Sequence, residues 1–292
     1  MKVAVSAASG ALGTKTLNCL VEDIGAGNVV AIARSPERVD VNGIEKRRGD
    51  YLSITELTAA FADVNSLVMI SAPVGDWDRV AMHRNVIEAA KNAGVNKLVY
   101  TSIVGNGKEE DTWYWPTQQD NRQTEIDLET SGLDWVIARN GLYLEKDLEN
   151  MVRSRDVGVY RNIAGEGRCG YITVGELAYA TAKLAVDGRA NGKVLNLCGE
   201  CLTQAQLVEM ANEVFGMELR YETIGDEENI ALLMQHPGIA ARGEHVAKML
   251  TGCFQALRAG AFDIPSDFEH AAGRSVKPTL QMMCELRETI VA

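Results

Sequence analysis

The stretch that most constrains this chain is Met1 to Lys15, MKVAVSAASGALGTK. Lys2 to Ser6 is a short apolar run with β-branched residues, the composition of a buried strand. Small residues follow at once, from Ser6 to Gly10, and a helical pattern opens at Ala11. A strand that turns tightly into a helix presents unpaired N–H groups at the helix N-terminus. Those donors and the helix dipole together favour a pyrophosphate. Ala7, Gly10 and Gly13 repeat the steps of a Gly-x-x-Gly-x-x-Gly loop, with alanine in place of the first glycine. Such a triplet is weak by itself, because a strand-to-helix turn can be glycine-rich for packing alone. Its position after the first strand, with strand and helix alternating beyond it, makes nucleotide binding the expectation.

The alternation is regular. Thr14 to Ile24 reads as a helix with Leu17, Leu20 and Val21 on one stripe, and Asn28 to Ala33 as a second buried strand. Gly43 to Arg48 prepares a third strand, and Ser53 caps a helix through Phe61, with Glu56 placed for a capping box. Ser66 to Ser71, Lys97 to Ser102 and Asp134 to Ala138 are further strands, separated by helices over Arg79 to Ala93 and Arg122 to Ser131. Glu109 to Gln119 reads as irregular, and its Trp113, Tyr114, Trp115 and Pro116 suggest a substrate wall or a packed lid. The pattern predicts an α/β Rossmann fold, a doubly wound parallel sheet. Next come a helix from Glu145 to Ser154, a loop-like stretch from Val157 to Gly170 and a helix from Glu176 to Val186. A strand at Val194 to Cys198 precedes a helix from Thr203 to Phe215 with Gln206 in capping-box position, and Leu219 to Thr223 is a candidate strand. The rest reads as four helices broken at Pro237-Gly238, Pro265 and Pro278. We therefore expect a nucleotide-binding domain over 1–200, with 145–170 reaching into a smaller, mostly helical substrate lobe over 201–292.

An excess of 40 acidic over 29 basic residues, net charge −11, argues against a nucleic-acid partner, whose phosphates demand clustered cations. No apolar run approaches the roughly 18 residues of a membrane span, and the chain enters a strand rather than a signal peptide. The expected setting is cytoplasmic. Cys198 and Cys201 form a C-x-x-C, but a zinc site would want a second pair, so the six cysteines read as unpaired thiols. No metal is expected. His83, alone in mid-helix, reads as a packed or surface residue without a catalytic role. About twenty residues past the glycine loop, where an NAD site places an acid on the ribose, stand Arg34 and then Arg38. An arginine there suits a 2′-phosphate, so NADP(H) is favoured over NAD(H). Asp50, at the third strand's end, could meet adenine or cap the next helix.

Several blocks carry a resemblance: SAASGALG, VVAIARSPER, RGDYLSITELTAAFADVNSLVMISAP, HRNVIEAAKNAGVNKLVYTS, TEIDLETSGLDWVIARNGLYLE and GEGRCGYITVGELA. In register from residue 1 to about 200, the chain resembles the NmrA-like group of atypical short-chain dehydrogenases. Within that group it is similar to bacterial NAD(P)H:quinone oxidoreductases and triphenylmethane-type reductases. The resemblance implies a cofactor cradle. Ser9, Gly10, Ala11, Leu12 and Gly13 match its pyrophosphate loop, Arg34 its 2′-phosphate contact, and Asp50 with Tyr51 its adenine neighbourhood. Ser71, Ala72 and Pro73 match the end of strand four along the nicotinamide ribose, and Thr101 with Ser102 the end of strand five. Arg139, Gly141, Leu142 and Tyr143 match an ArgAsnGly-x-Tyr turn beside the nicotinamide.

The chain departs from that pattern in three places. Ala7 replaces the first loop glycine, which calls for φ below zero or a pyrophosphate set slightly farther out. Leu142 stands where tryptophan is usual, and Asn121 where the fourth helix often has histidine. The Tyr-x-x-x-Lys pair of typical short-chain dehydrogenases is also missing: Tyr114 is followed by Gln118, and no lysine lies between Lys108 and Lys146. Without a lysine to lower a tyrosine's pKa, alcohol dehydrogenation loses its acid/base. A quinone-like acceptor is less demanding, since hydride addition leaves a delocalised anion that water or a weak acid can protonate. The function expected is hydride transfer from NADPH to a quinone or similar conjugated electrophile. Tyr143 first and Tyr114 second could donate to the acceptor oxygen, or serve as pocket wall. The alternative is a non-catalytic NADP(H)-binding sensor that reports to a partner. A monomer or homodimer acting on a small molecule, with neither nucleic acid nor membrane as partner, completes the expectation.

Overall fold

The computed structural model describes residues 1–75 and 77–291. Its centre is a parallel sheet built from β1 (Val3–Ser6), β2 (Val29–Ala33), β3 (Glu45–Arg48), β4 (Ser66–Ile70), β5 (Lys97–Ile103), β6 (Asp134–Asn140) and a strand formed much later, Lys193–Leu197. Their order across the sheet is β3-β2-β1-β4-β5-β6, then the late strand, every neighbour parallel. Strand direction in sequence reverses between β1 and β4, the switch point at which open α/β sheets bind ligands beyond their carboxyl ends.

Burial explains the near-continuous apolar strands. Val3, Val5, Ala31, Val99 and Val136 point into one cluster, and Ala4, Ile32, Leu67, Leu98 and Ile137 into the other, so alternate residues feed opposite faces. On the first face lie α1 (Ala11–Ile24) and the later helix Val174–Val186; on the second lie α2 (Ile54–Ala60), α3 (Arg79–Asn92) and α4 (Trp115–Glu129).

Several expectations need correction. The fourth helix begins at Trp115, seven residues before Arg122, with Pro116 in its first turn. Its apolar pattern is faint because, beside Leu128, the residues it buries are Gln118, Asn121, Thr124 and Glu125. Ser53 Oγ does accept from Glu56 N, but Glu56 pairs with Arg48, so only half of the capping box forms. The box at Thr203 and Gln206 is complete. The stretch from Val157 to Gly170 holds two strands, β7 (Val159–Asn162) and β8 (Arg168–Gly170), after α5 (Leu144–Arg153). Local pattern does not reveal them because their partners lie far along the chain.

Downstream come α6 (Val174–Val186), β9 (Lys193–Leu197, the late sheet strand), β10 (Cys201–Thr203), α7 (Gln204–Phe215) and β11 (Arg220–Thr223). β10 pairs with β8 and β11 with β7. Five helices follow, not four: α8 (Asp226–Met234), α9 (Pro237–Ala240), α10 (Glu244–Arg258), α11 (Phe268–Ala272) and α12 (Thr279–Val291). Pro237 opens a short helix where a break was expected, the first-turn position in which proline's missing N–H is harmless. No helix among the described residues is long and apolar enough to cross a membrane.

Of the two ways of accommodating Ala7, the structure removes the first: its φ is +51°, not negative. The turn needs the left-handed conformation for which glycine is the default, and alanine holds it at a cost of about 1–2 kcal/mol. Ala7→Gly is therefore expected to raise unfolding free energy by about 1 kcal/mol, read as a small increase in Tm by calorimetry. An unchanged or lower Tm would show that the loop relieves the strain elsewhere.

Candidate nucleotide and acceptor site

The loop after β1 enters α1 with Gly10 as N-cap and no side-chain cap, so the first-turn N–H groups face outward unpaired by any capping side chain. Ser9, Gly10 and Ala11 are exposed there, while Leu12 and Gly13 are buried. A Cβ at Gly13 would lie 2.8 Å from Ala8 Cα and 2.9 Å from the Ala7 and Ala8 carbonyl oxygens, so only glycine lets the helix sit this close to the loop. Arg34 and Arg38 are both exposed beyond β2, free to meet a phosphate. Asp50 makes an Asx turn, its Oδ1 accepting from Leu52 N at 3.0 Å. Tyr51 is turned into the core, its hydroxyl 2.6 Å from Ser6 Oγ and donating to Ile70 O at 2.8 Å. A contact between Tyr51 and adenine would thus fall to its backbone.

Past β4, β5 and β6 opens a cavity of about 420 Å³. Ser71, Ala72, Pro73, Thr101, Ser102, Gly141, Leu142 and Tyr143 line it, as does Tyr114. The wall along Ser71 to Pro73 is held rigidly. Thr101 Oγ1 accepts from Ser71 N at 3.1 Å, and Ala72 N donates to His83 Nε2 at 2.8 Å. That bond fixes the tautomer, so His83 Nδ1 carries the proton towards Thr124 Oγ1, 2.8 Å away. Burial pushes His83 down to about 3, keeping the ring neutral and able to accept. Arg79, only 5 % exposed, grips the same segment, donating from Nε to Ala72 O at 3.0 Å and from Nη2 to Ser71 Oγ at 2.8 Å. Sequence analysis missed Arg79; its single signal is an arginine opening a helix just beyond β4, which reads as an ordinary surface residue.

Arg139 is a correction. Its guanidinium does not line the cavity but forks onto Glu125, Nε to Oε1 at 3.0 Å and Nη2 to Oε2 at 2.5 Å. It sits one residue before Asn140 on a strand, so the two side chains project from opposite faces. Ser102 also gives its hydroxyl to Glu125, at 2.6 Å. Of the aromatic run, Tyr114 alone reaches the cavity; Trp113 is 40 % exposed.

Neither candidate tyrosine is activated. Burial drives the Tyr114 phenol well above its ordinary range, and Tyr143 is also raised by burial, partly offset by the Asn140 side chain. Asn140 itself is buried, lines the cavity, and its Oδ1 has no partner among the described residues. An unsatisfied buried acceptor at this wall fits the carboxamide N–H of a nicotinamide. With the Gly13 cradle and the outward N–H groups, the residues present fit a reduced dinucleotide spanning from loop to cavity. Cys198 and Cys201 lie elsewhere as free thiols, burial pushing Cys198 up to about 12.

The sheet order, the glycine-bearing turn at the switch point and the adjoining cavity define a dinucleotide-binding Rossmann protein. Residues 7–163 match the family described as NAD(P)H-binding, and the chain belongs to that family. It is 32 % identical over 236 residues to quinone oxidoreductase 2 of Escherichia coli, covering 79 % of this chain and 80 % of that protein. An NmrA-like family domain-containing oxidoreductase of Aspergillus flavus is 32 % identical over 230 residues, 76 % of this chain and 74 % of the other. Among solved structures, an NADPH-dependent quinone oxidoreductase from Escherichia coli in complex with NADPH superposes with a TM-score of 0.86 at 26 % identity, covering 99 % of this chain and 100 % of that one. The Citrobacter sp. triphenylmethane reductase complexed with NADP(H) gives 0.87 at 27 %, covering 98 % and 100 %.

Proposed function

We propose that this chain is an NADPH-dependent oxidoreductase that passes hydride to a quinone or similar conjugated electrophile. The observation that carries this is the cavity beyond β4, β5 and β6, largely apolar, whose two phenols are raised by burial and whose lysine, Lys146, gives its ammonium to Glu149 rather than to either phenol. Such a wall supplies shape and dryness more than acid/base strength, which suits an acceptor whose reduced form is a delocalised anion. The names of its relatives, quinone oxidoreductase and triphenylmethane reductase, point the same way.

In this reading the first turn of α1 and Gly10 bind the pyrophosphate, and Arg34 with Arg38 takes the 2′-phosphate. The Ser71–Pro73 wall, clamped by His83 and Arg79, orients the ribose, and Asn140 Oδ1 accepts from the carboxamide. The bound nicotinamide supplies the hydride. Leu142, Tyr114 and Tyr143 pack the acceptor and exclude water. Residues 1–200 hold the nucleotide, and 201–292 with 145–170 close the acceptor side. We place the enzyme in the cytoplasm, as a monomer or homodimer acting on a small molecule.

Fluorescence titration with NADPH and NADH, repeated on Arg34→Ala, tests the cradle. Loss of a charge-assisted phosphate contact is expected to weaken NADPH on the order of 10- to 100-fold and to leave NADH within about twofold. NADPH oxidation is then followed with menadione as acceptor. Tight binding without turnover of quinones or cationic dyes would replace the enzyme with a redox sensor, and no binding would remove both readings.

A further inference from the structure

Asp147 is the one carboxylate on the cavity wall among the described residues, and no step of the proposed hydride transfer uses it. It lies on α5, is 7 % exposed, and is held from two other elements: Oδ1 accepts from Tyr160 Oη on β7 at 2.9 Å and from Gln204 Nε2 on α7 at 3.2 Å. Oδ2 has no hydrogen-bond partner among the described residues. The titratable groups facing Asp147 are Tyr160, Tyr171, Tyr221, Cys169 and Cys253, all raised by burial and so neutral near pH 7. Among the described residues no cation pairs with it; Lys146, its neighbour on the helix, gives its ammonium to Glu149.

A buried acid without a counter-ion, placed by two donors on one oxygen and open on the other, is poorly explained as a structural pair. We propose that Asp147, in its protonated form, is the catalytic acid that delivers a proton to the acceptor oxygen. The inference rests on the quinone-reductase reading. Hydride arrives with two electrons from the reduced nicotinamide, which is oxidised. The acceptor, reduced by those two electrons, becomes an oxyanion. The Asp147 O–H bond breaks as the new O–H bond forms, and water returns a proton to the carboxylate between turnovers. Desolvation lifts Asp147 to about 6, so the acid form is appreciably populated near neutrality, whereas the two cavity phenols are far weaker acids.

The test compares wild type with Asp147→Asn, which keeps the shape and an oxygen to accept from Tyr160 and Gln204. Single-turnover menadione reduction is followed from pH 5 to 8, beside carboxyl infrared difference spectra of the nucleotide-free protein across the same range. In wild type, the rate is expected to fall about tenfold per pH unit above 6, and a carboxyl band should titrate near that pH. In Asp147→Asn the rate at pH 5.5 should drop on the order of 100-fold and lose its pH dependence, KM should change little, and the band should vanish. A variant that keeps the wild-type slope, or a wild type with neither the limb nor the band, overturns the assignment. If Asp147→Asn does not fold, the wild-type limb and band decide alone. A wild type that binds NADPH and shows the carboxyl band but reduces no acceptor would instead sink the quinone-reductase reading.

Discussion

Gly13→Ala will leave a folded protein whose NADPH affinity has fallen on the order of 100-fold, because displacing a binding element by about an ångström carries that cost. The new methyl would stand 2.8 Å from Ala8 Cα and 2.9 Å from the Ala7 and Ala8 carbonyl oxygens. All three are backbone atoms, and Ala8 is itself tied to β2 through Ala8 N to Ile32 O at 3.1 Å. The loop cannot yield, so α1 must move, and with it the unpaired N–H groups that meet the pyrophosphate. Overpacking of this kind also costs about 1–3 kcal/mol of stability. Gly10→Ala is the control: φ there is −81° and the nearest atom to its Cβ would be Ala7 O at 3.5 Å, so the fold tolerates the methyl. Loss of affinity in Gly10→Ala without loss of Tm would show that the nucleotide itself approaches Gly10. Gly13→Ala with wild-type affinity would show that the pyrophosphate does not sit on this turn. Isothermal titration and thermal melts separate these outcomes.

The largest loss of stability is expected from Glu125→Ala, about 3 kcal/mol or more. Glu125 is 4 % exposed and gathers Ser102 Oγ, Arg122 Nη1 at 2.6 Å and the Arg139 fork. Removing it leaves two guanidinium groups facing one another, with Glu109 at 4.0 Å the remaining carboxylate for Arg122, whose pKa burial and then Arg139 already lower. The arginine side chains are 22 % and 23 % exposed, so water recovers part of the cost, which places the loss at the lower end for a broken buried pair. Because Ser102 and Arg139 sit near the ends of β5 and β6, the damage should reach the cavity and lower kcat as well. Chemical denaturation gives the stability directly. A loss below about 1 kcal/mol would mean that the arginines rehydrate freely and the carboxylate serves no more than a surface pair does.

Much of the fold is legible in local pattern. Apolar strands alternating with amphipathic helices have few arrangements available once both faces of a parallel sheet must be covered. The exceptions have physical reasons. The first two turns of α4 bury Gln118 and Asn121, polar side chains satisfied by Val104 O and by Tyr100 and Arg79, so hydrophobic periodicity passes over them. β7 and β8 are short and find partners 61 and 31 to 35 residues later, through pairing that no local window contains.

By itself the sequence determined the strand–turn–helix at the N-terminus, the sheet that follows it, and the nucleotide class implied by Arg34 after β2. Those are properties of neighbouring residues, in which spacing alone decides what can be buried and which backbone donors are left over. Tertiary structure alone decided that Ala7 takes a positive φ, that Arg139 turns to Glu125 rather than to the cavity, and that Arg79, Asn140 and Asp147 line it. A side chain's partner is set by where distant elements pack, as when Gln204 reaches Asp147 across 57 residues, and burial then sets its charge.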